Sequence, residues 1–68
     1  MNQPTDTIYS IETIDKMVAE LMDDEWLDQL SNWENIFIND MSIRISHDEY
    51  ISEKQRNKIA EIYGNYVI

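Results

Sequence analysis

The sequence has no cysteine, one glycine (Gly64), one proline (Pro4) and only five Lys or Arg among its 68 residues. Without cysteine, disulfides, thiolate zinc sites and cysteine nucleophiles are excluded together, and a reducing cytoplasm is the compartment that fits. Hairpins, barrels and phosphate loops consume glycines for positive φ, so a chain with a single one points to helices. No apolar run approaches the ~20 residues that span a bilayer. Met1–Ser10 lacks the basic start and apolar stretch of a signal peptide, so neither a membrane nor export is expected. Chains of about 60 residues bury only about 60% of their unfolded surface and form one small domain, too small for an enzyme fold with its own cofactor cleft. No catalytic activity, cofactor, metal or small-molecule ligand is expected.

What is present is enough for a core. The hydrophobic fraction is 43%, with seven aromatics and four Met, which argues against wholesale disorder despite a net charge of -9. Residues 1–9 carry the proline and no apolar periodicity, and read as a flexible arm that docks Ile8 and Tyr9 on the core. From Ser10 onward, Ile11, Ile14, Met17, Val18, Leu21 and Met22 recur at three and four, which predicts a helix over about 10–22 with Ser10 as its N-cap. Asp23-Asp24-Glu25 interrupts the stripe, and either Asp can cap a short helical stretch over about 24–30 carrying Trp26, Leu27 and Leu30.

Two starts are better marked. Ser31-Asn32-Trp33-Glu34 fits the S-x-x-E capping box and opens a helix over about 32–45, in which Trp33, Ile36, Phe37 and Met41 are read as one face, with Ile38 and Ile45 on its flank. That width is what a central helix needs. Ser46–Tyr50 is a polar connection. Ser52-Glu53-Lys54-Gln55 is a second capping box, opening a helix over about 53–63 whose Ile59, Ile62 and Tyr63 share a face, with Gly64 expected as a left-handed stop. The architecture predicted is all-α, an asymmetric bundle of three to four helices in one domain, 10–68. Trp33, Phe37, Ile59, Ile62 and Tyr63 are the expected core, and Trp26 and the tail Tyr66-Val67-Ile68 the expected exposed apolar residues.

Charge is unevenly spread. Residues 1–34 hold nine acids against Lys16 alone, a net of -8, while residues 35–68 hold five acids against four bases, a net of -1. Asp23, Asp24, Glu25 and Asp28 concentrate it. Such a face can steer the chain to a basic partner or imitate nucleic-acid phosphates, and can equally be a solvated face that keeps a small protein soluble. An EF-hand loop starting at Asp23 fails, because Leu27 and Asp28 would fall where a liganding oxygen and the sharp-turn glycine are needed. His47, flanked by Asp48 and Glu49, stands alone without a second histidine or cysteine and reads as a loop residue. Arg44, Lys54, Arg56 and Lys58 surround one loop and the start of the last helix. A phosphate contact there is one reading. A charge of -9 opposes autonomous DNA binding, and weak surface pairs are the other reading.

Trp33-Glu34 with Phe37-Ile38, then Ile51-Ser52-Glu53-Lys54-Gln55 and Ile59-Ala60-Glu61-Ile62-Tyr63, resemble a short helical module of T4-like bacteriophages. That module is associated with the carboxy terminus of the recombination helicase UvsW, and the family includes small stand-alone chains. The resemblance covers about residues 24–66, and the S-E-K-Q helix start is its sharpest part. Where chains of that family carry a glycine in the preceding loop, this one has Ser46–Tyr50. The resemblance implies an accessory role in phage recombination-dependent repair and replication-fork processing, through contact with a UvsW-type helicase or another recombination protein, in the cytoplasm of an infected bacterium. It does not bring the motor's activity, since the chain has no G-x-x-x-x-G-K-[ST] loop. Another reading, from charge alone, is an acidic DNA mimic occupying the nucleic-acid site of a basic partner.

Overall fold

The computed structural model describes residues 9–67, which form four helices: α1 (Ile11–Leu21), α2 (Asp24–Leu27), α3 (Asn32–Ser46) and α4 (Glu53–Tyr66). No strand occurs among the described residues, and the chain is a small all-α bundle. Ile8 and Ile68, expected to be docked and exposed respectively, lie outside the described residues, as does the arm before Tyr9.

Each start is fixed by the cap its sequence provides. Ser10 Oγ accepts from the Thr13 N–H at 3.2 Å, and Asp23 Oδ1 from the Glu25 N–H at 3.2 Å. The box at α3 is complete: Ser31 Oγ accepts from the Glu34 N–H at 3.1 Å, and Glu34 Oε1 accepts from the Ser31 N–H at 2.9 Å. The box at α4 repeats it with Ser52 and Gln55 at 3.1 and 2.9 Å. These bonds satisfy amide donors that no intrahelical carbonyl can reach.

α3 ends in a Schellman turn. The Glu49 N–H donates to the Arg44 carbonyl at 2.9 Å and the Asp48 N–H to that of Ile45 at 3.1 Å, with Asp48 left-handed at φ 56°. Asp tolerates this conformation better than most residues, and glycine would adopt it without strain.

The core is Ile14, Val18, Leu21, Leu30, Ile38, Met41, Ile51, Ile59 and Ile62. α1 sits at its centre and packs against α2, α3 and α4, so the central helix is α1 and not α3 as the width of the α3 stripe suggested. The expected inward face of α3 is also rotated. Ile38 and Met41 are buried and Ile45 half-buried, while Trp33 is 57% exposed, Ile36 63%, and Phe37 only partly covered. Trp33 is therefore not a core residue. α3 has more apolar residues than α1 can cover, and the surplus faces out. Ile59 and Ile62 are buried as expected and Tyr63 packs partly buried against them.

Two further expectations change at the C-terminal end. Gly64 does not stop α4, since its φ is not positive and the helix runs on to Tyr66. Tyr66 and Val67 still have core to cover, and both pack against it, as does Trp26, so none of the three is the free apolar surface expected of them. Tyr9 is partly buried on the same core.

Candidate functional site

The surplus apolar face of α3 is the main exposed feature of the described surface. Trp33 and Phe37, four residues apart on one face, stack with ring centroids 5.2 Å apart and planes 6° from parallel. With Ile36 and Asp40 they line a groove of about 330 Å³. Ile43, 56% exposed, continues the face toward the C-terminal end of α3. Lys58 of α4 lies 5.7 Å from the centroid of the Trp33 ring, so the indole meets a cation as well as a second ring.

Asp40 ends the groove in a carboxylate. Its Oδ2 accepts from Arg44 Nε at 3.0 Å, and its side chain is still 52% exposed. Asp40 in turn raises the Arg44 pKa above the ordinary arginine value, by hydrogen bond first and by charge second. Sequence reasoning does not single out Ile36, Asp40 and Ile43 as a site. The signal is nevertheless in the spacing, since the stripe begun by Trp33 and Ile36 runs into Asp40, a charge that no buried face of so small a bundle accommodates.

The N-terminal end of this face is tied to α4. The Tyr66 hydroxyl donates to Glu34 Oε1 at 2.6 Å, so one carboxylate oxygen closes the α3 capping box and anchors the last turn of α4. The Tyr66 hydroxyl, then the Ser31 N–H, hold the Glu34 carboxyl below the usual carboxylate range, and the Tyr66 pKa is raised in return. On α1, Glu20 Oε1 accepts from the Tyr63 hydroxyl at 2.9 Å, which raises the Tyr63 pKa.

The four bases singled out from the sequence serve different ends. Arg44 bonds Asp40 and reaches Glu49 Oε1 at 3.5 Å. Arg56 donates to two backbone carbonyls, Ile51 at 2.9 Å and Tyr9 at 2.8 Å. Lys58 pairs with Glu61 at 3.1 Å. Lys54 is exposed on the first turn of α4. Three of the four thus use donors within the molecule.

Asp23, Asp24, Glu25 and Asp28 are all exposed around α2, as the sequence predicts, and none forms an ion pair among the described residues. Asp23 is a cap. A second cavity, about 410 Å³, opens where the first turn of α1 meets the α3–α4 loop, lined in part by Glu12, Asp15, Asp48, Glu49, Tyr50 and Arg56. Its acids are spread out: among the described residues no group of three His, Asp or Glu converges so as to hold a metal ion. Nor is any helix of the described residues long and apolar enough to cross a membrane. No family model, no curated protein and no solved structure matches this chain.

Proposed function

We propose that this chain is a non-catalytic interaction module that docks through the outward face of α3, serving a UvsW-type helicase as an accessory in phage recombination-dependent repair and fork processing. One observation carries the docking role: α3 is apolar on two faces, and among the described residues only the one bearing Ile38 and Met41 is covered by the rest of the bundle. Adjacent large apolar side chains left in water at Trp33, Ile36 and Ile43 are the usual mark of an interaction surface. The choice of partner rests on the resemblance of residues 24–66 to the helicase-associated phage module.

The test is a pull-down of a purified UvsW-type helicase on the immobilised chain, at low and high salt, with branch-migration rates measured in parallel. Binding that survives high salt and a changed rate are the expected results. No capture and no change in rate would remove the helicase assignment.

The acidic-mimic reading keeps one supporting observation, the exposure of Asp24, Glu25 and Asp28 and their lack of ion pairing among the described residues. It requires that binding collapse with salt and compete with DNA. Partner binding undiminished after conversion of all three to Asn or Gln would discard it.

A further inference from the structure

Resting on the reading of α3 as a docking face, we infer that its occupant is a basic amphipathic helix of another protein, lying along Trp33, Ile36, Phe37 and Ile43 with a Lys or Arg side chain set against Asp40. The positions 33, 36, 37, 40 and 43 follow the i, i+3, i+4, i+7 spacing of a helix–helix seam. At 1.5 Å per residue the seam is about 15 Å long, close to three turns of a facing helix. The groove between the Trp33–Phe37 stack, Ile36 and Asp40 gives that helix a place to insert side chains.

Charge selects the sign of the partner. Asp40 stands in the seam between Ile36 and Ile43, and covering it strips water from a carboxylate that then requires a donor. Arg44 takes one of its oxygens, Oδ2, and the side chain is still half-exposed where it lines the groove. A lone polar group inside an apolar seam also sets register, which gives the partner cation a fixed position. The chain as a whole carries -9, most of it in residues 1–34, a field that speeds encounter with basic segments even though Lys58 and Arg44 border the seam itself.

Charge disfavours a second copy as the occupant: a pair would bring two copies of Asp40, and two chains of -9, together.

The experiment titrates the isotope-labelled full chain with an amphipathic helical peptide of about four turns, Leu on its seam and Lys and Arg on its flanks, and with the same peptide carrying Glu for every Lys and Arg. The expected result is amide shifts along Asn32–Ser46 with the basic peptide only. Ile36→Glu should weaken that binding about thirtyfold. Asp40→Lys should reverse the preference toward the acidic peptide. Both positions are exposed, so far-UV circular dichroism should stay native. Equal binding of the two peptides, no binding of either, or shifts away from α3 would overturn the inference. So would a dimer in sedimentation that Ile36→Glu dissolves, since the occupant would then be a second copy. Helicase capture that Ile36→Glu leaves intact refutes this occupant while an accessory role stands. Peptide binding without helicase capture does the reverse.

Discussion

Ile36 and Ile38 are two residues apart on α3, chemically identical, and placed on opposite sides of it: Ile38 is fully buried and Ile36 is 63% exposed. Replacing each by Ala tests the orientation of the helix with propensity held constant. The change removes three carbons, worth about 0.8 kcal/mol apiece when buried, and at Ile38 it also leaves a cavity, for a total of about 3–4 kcal/mol. At Ile36 only about a third of that transfer is at stake, roughly 0.9 kcal/mol. Ala is the better helix former by about 0.4 kcal/mol at both positions. Net losses are then about 3 kcal/mol for Ile38→Ala and about 0.5 kcal/mol for Ile36→Ala. A core this small supplies only about 3–5 kcal/mol in all, so the first variant should be largely unfolded at 37 °C and the second almost native. At about 4–8 °C per kcal/mol, thermal melts by circular dichroism should separate them by at least 10 °C or so. Equal melting temperatures, or a larger loss at Ile36, would refute the assignment of inner and outer faces.

Gly64 is exposed and helical, and a β-carbon added there would meet no atom within 4 Å apart from its chain neighbours and the backbone of its own helix. Gly64→Ala should therefore stabilise the chain by about 0.5–1 kcal/mol in urea unfolding. At Asp48, whose φ is 56°, Asp48→Val should cost about 1–2 kcal/mol and Asp48→Gly should be neutral or stabilising, read by the same unfolding midpoints. Glu34 titrates below the usual carboxylate range when folded, so its contribution is whole above the ordinary value and is lost as pH falls through the depressed one. Glu34→Gln retains a capping side chain, as Gln55 does at α4, and should reduce stability at neutral pH with a shallower acid decline. Parallel acid limbs for the two proteins would show that the Tyr66–Glu34 bond contributes nothing through charge.

The helix starts were legible in the sequence because capping is local chemistry. Ser10, Ser31 and Ser52 each place an oxygen within three residues of the amide they bond, and no tertiary contact is needed to infer it. α3 could not be oriented in the same way. Its apolar residues make two overlapping stripes, one through Ile38, Met41 and Ile45 and one through Trp33, Ile36, Phe37 and Ile43, and periodicity ranks neither. Aromatic bulk favoured the wrong one. Only the packing of the other helices decides: the inward stripe also carries an acid, Glu34, but the Tyr66 hydroxyl and the Ser31 N–H satisfy it, whereas Asp40 has its partner Arg44 on the outer side. Gly64 failed as a signal for a related reason: glycine permits a left-handed turn without requiring one, and the burial of Tyr66 and Val67 favours another turn of helix. The exposed acids around α2 were readable from the sequence, and the engagement of Arg56 by the Tyr9 carbonyl, remote in sequence, was not.

That engagement bears on the order in which the chain assembles. Arg56 joins the start of α4 to the Tyr9 carbonyl, 47 residues away in sequence, whereas its bond to Ile51 is local. Closing so long a loop is entropically unfavourable, by about 3 kcal/mol in a simple polymer estimate, and is tolerated only once intervening helices have shortened the path. The Tyr9 clasp therefore belongs to the native side of the folding barrier. Arg56→Ala should quicken unfolding and leave the refolding rate nearly unchanged, so that this cation acts as a latch on the lifetime of the folded chain.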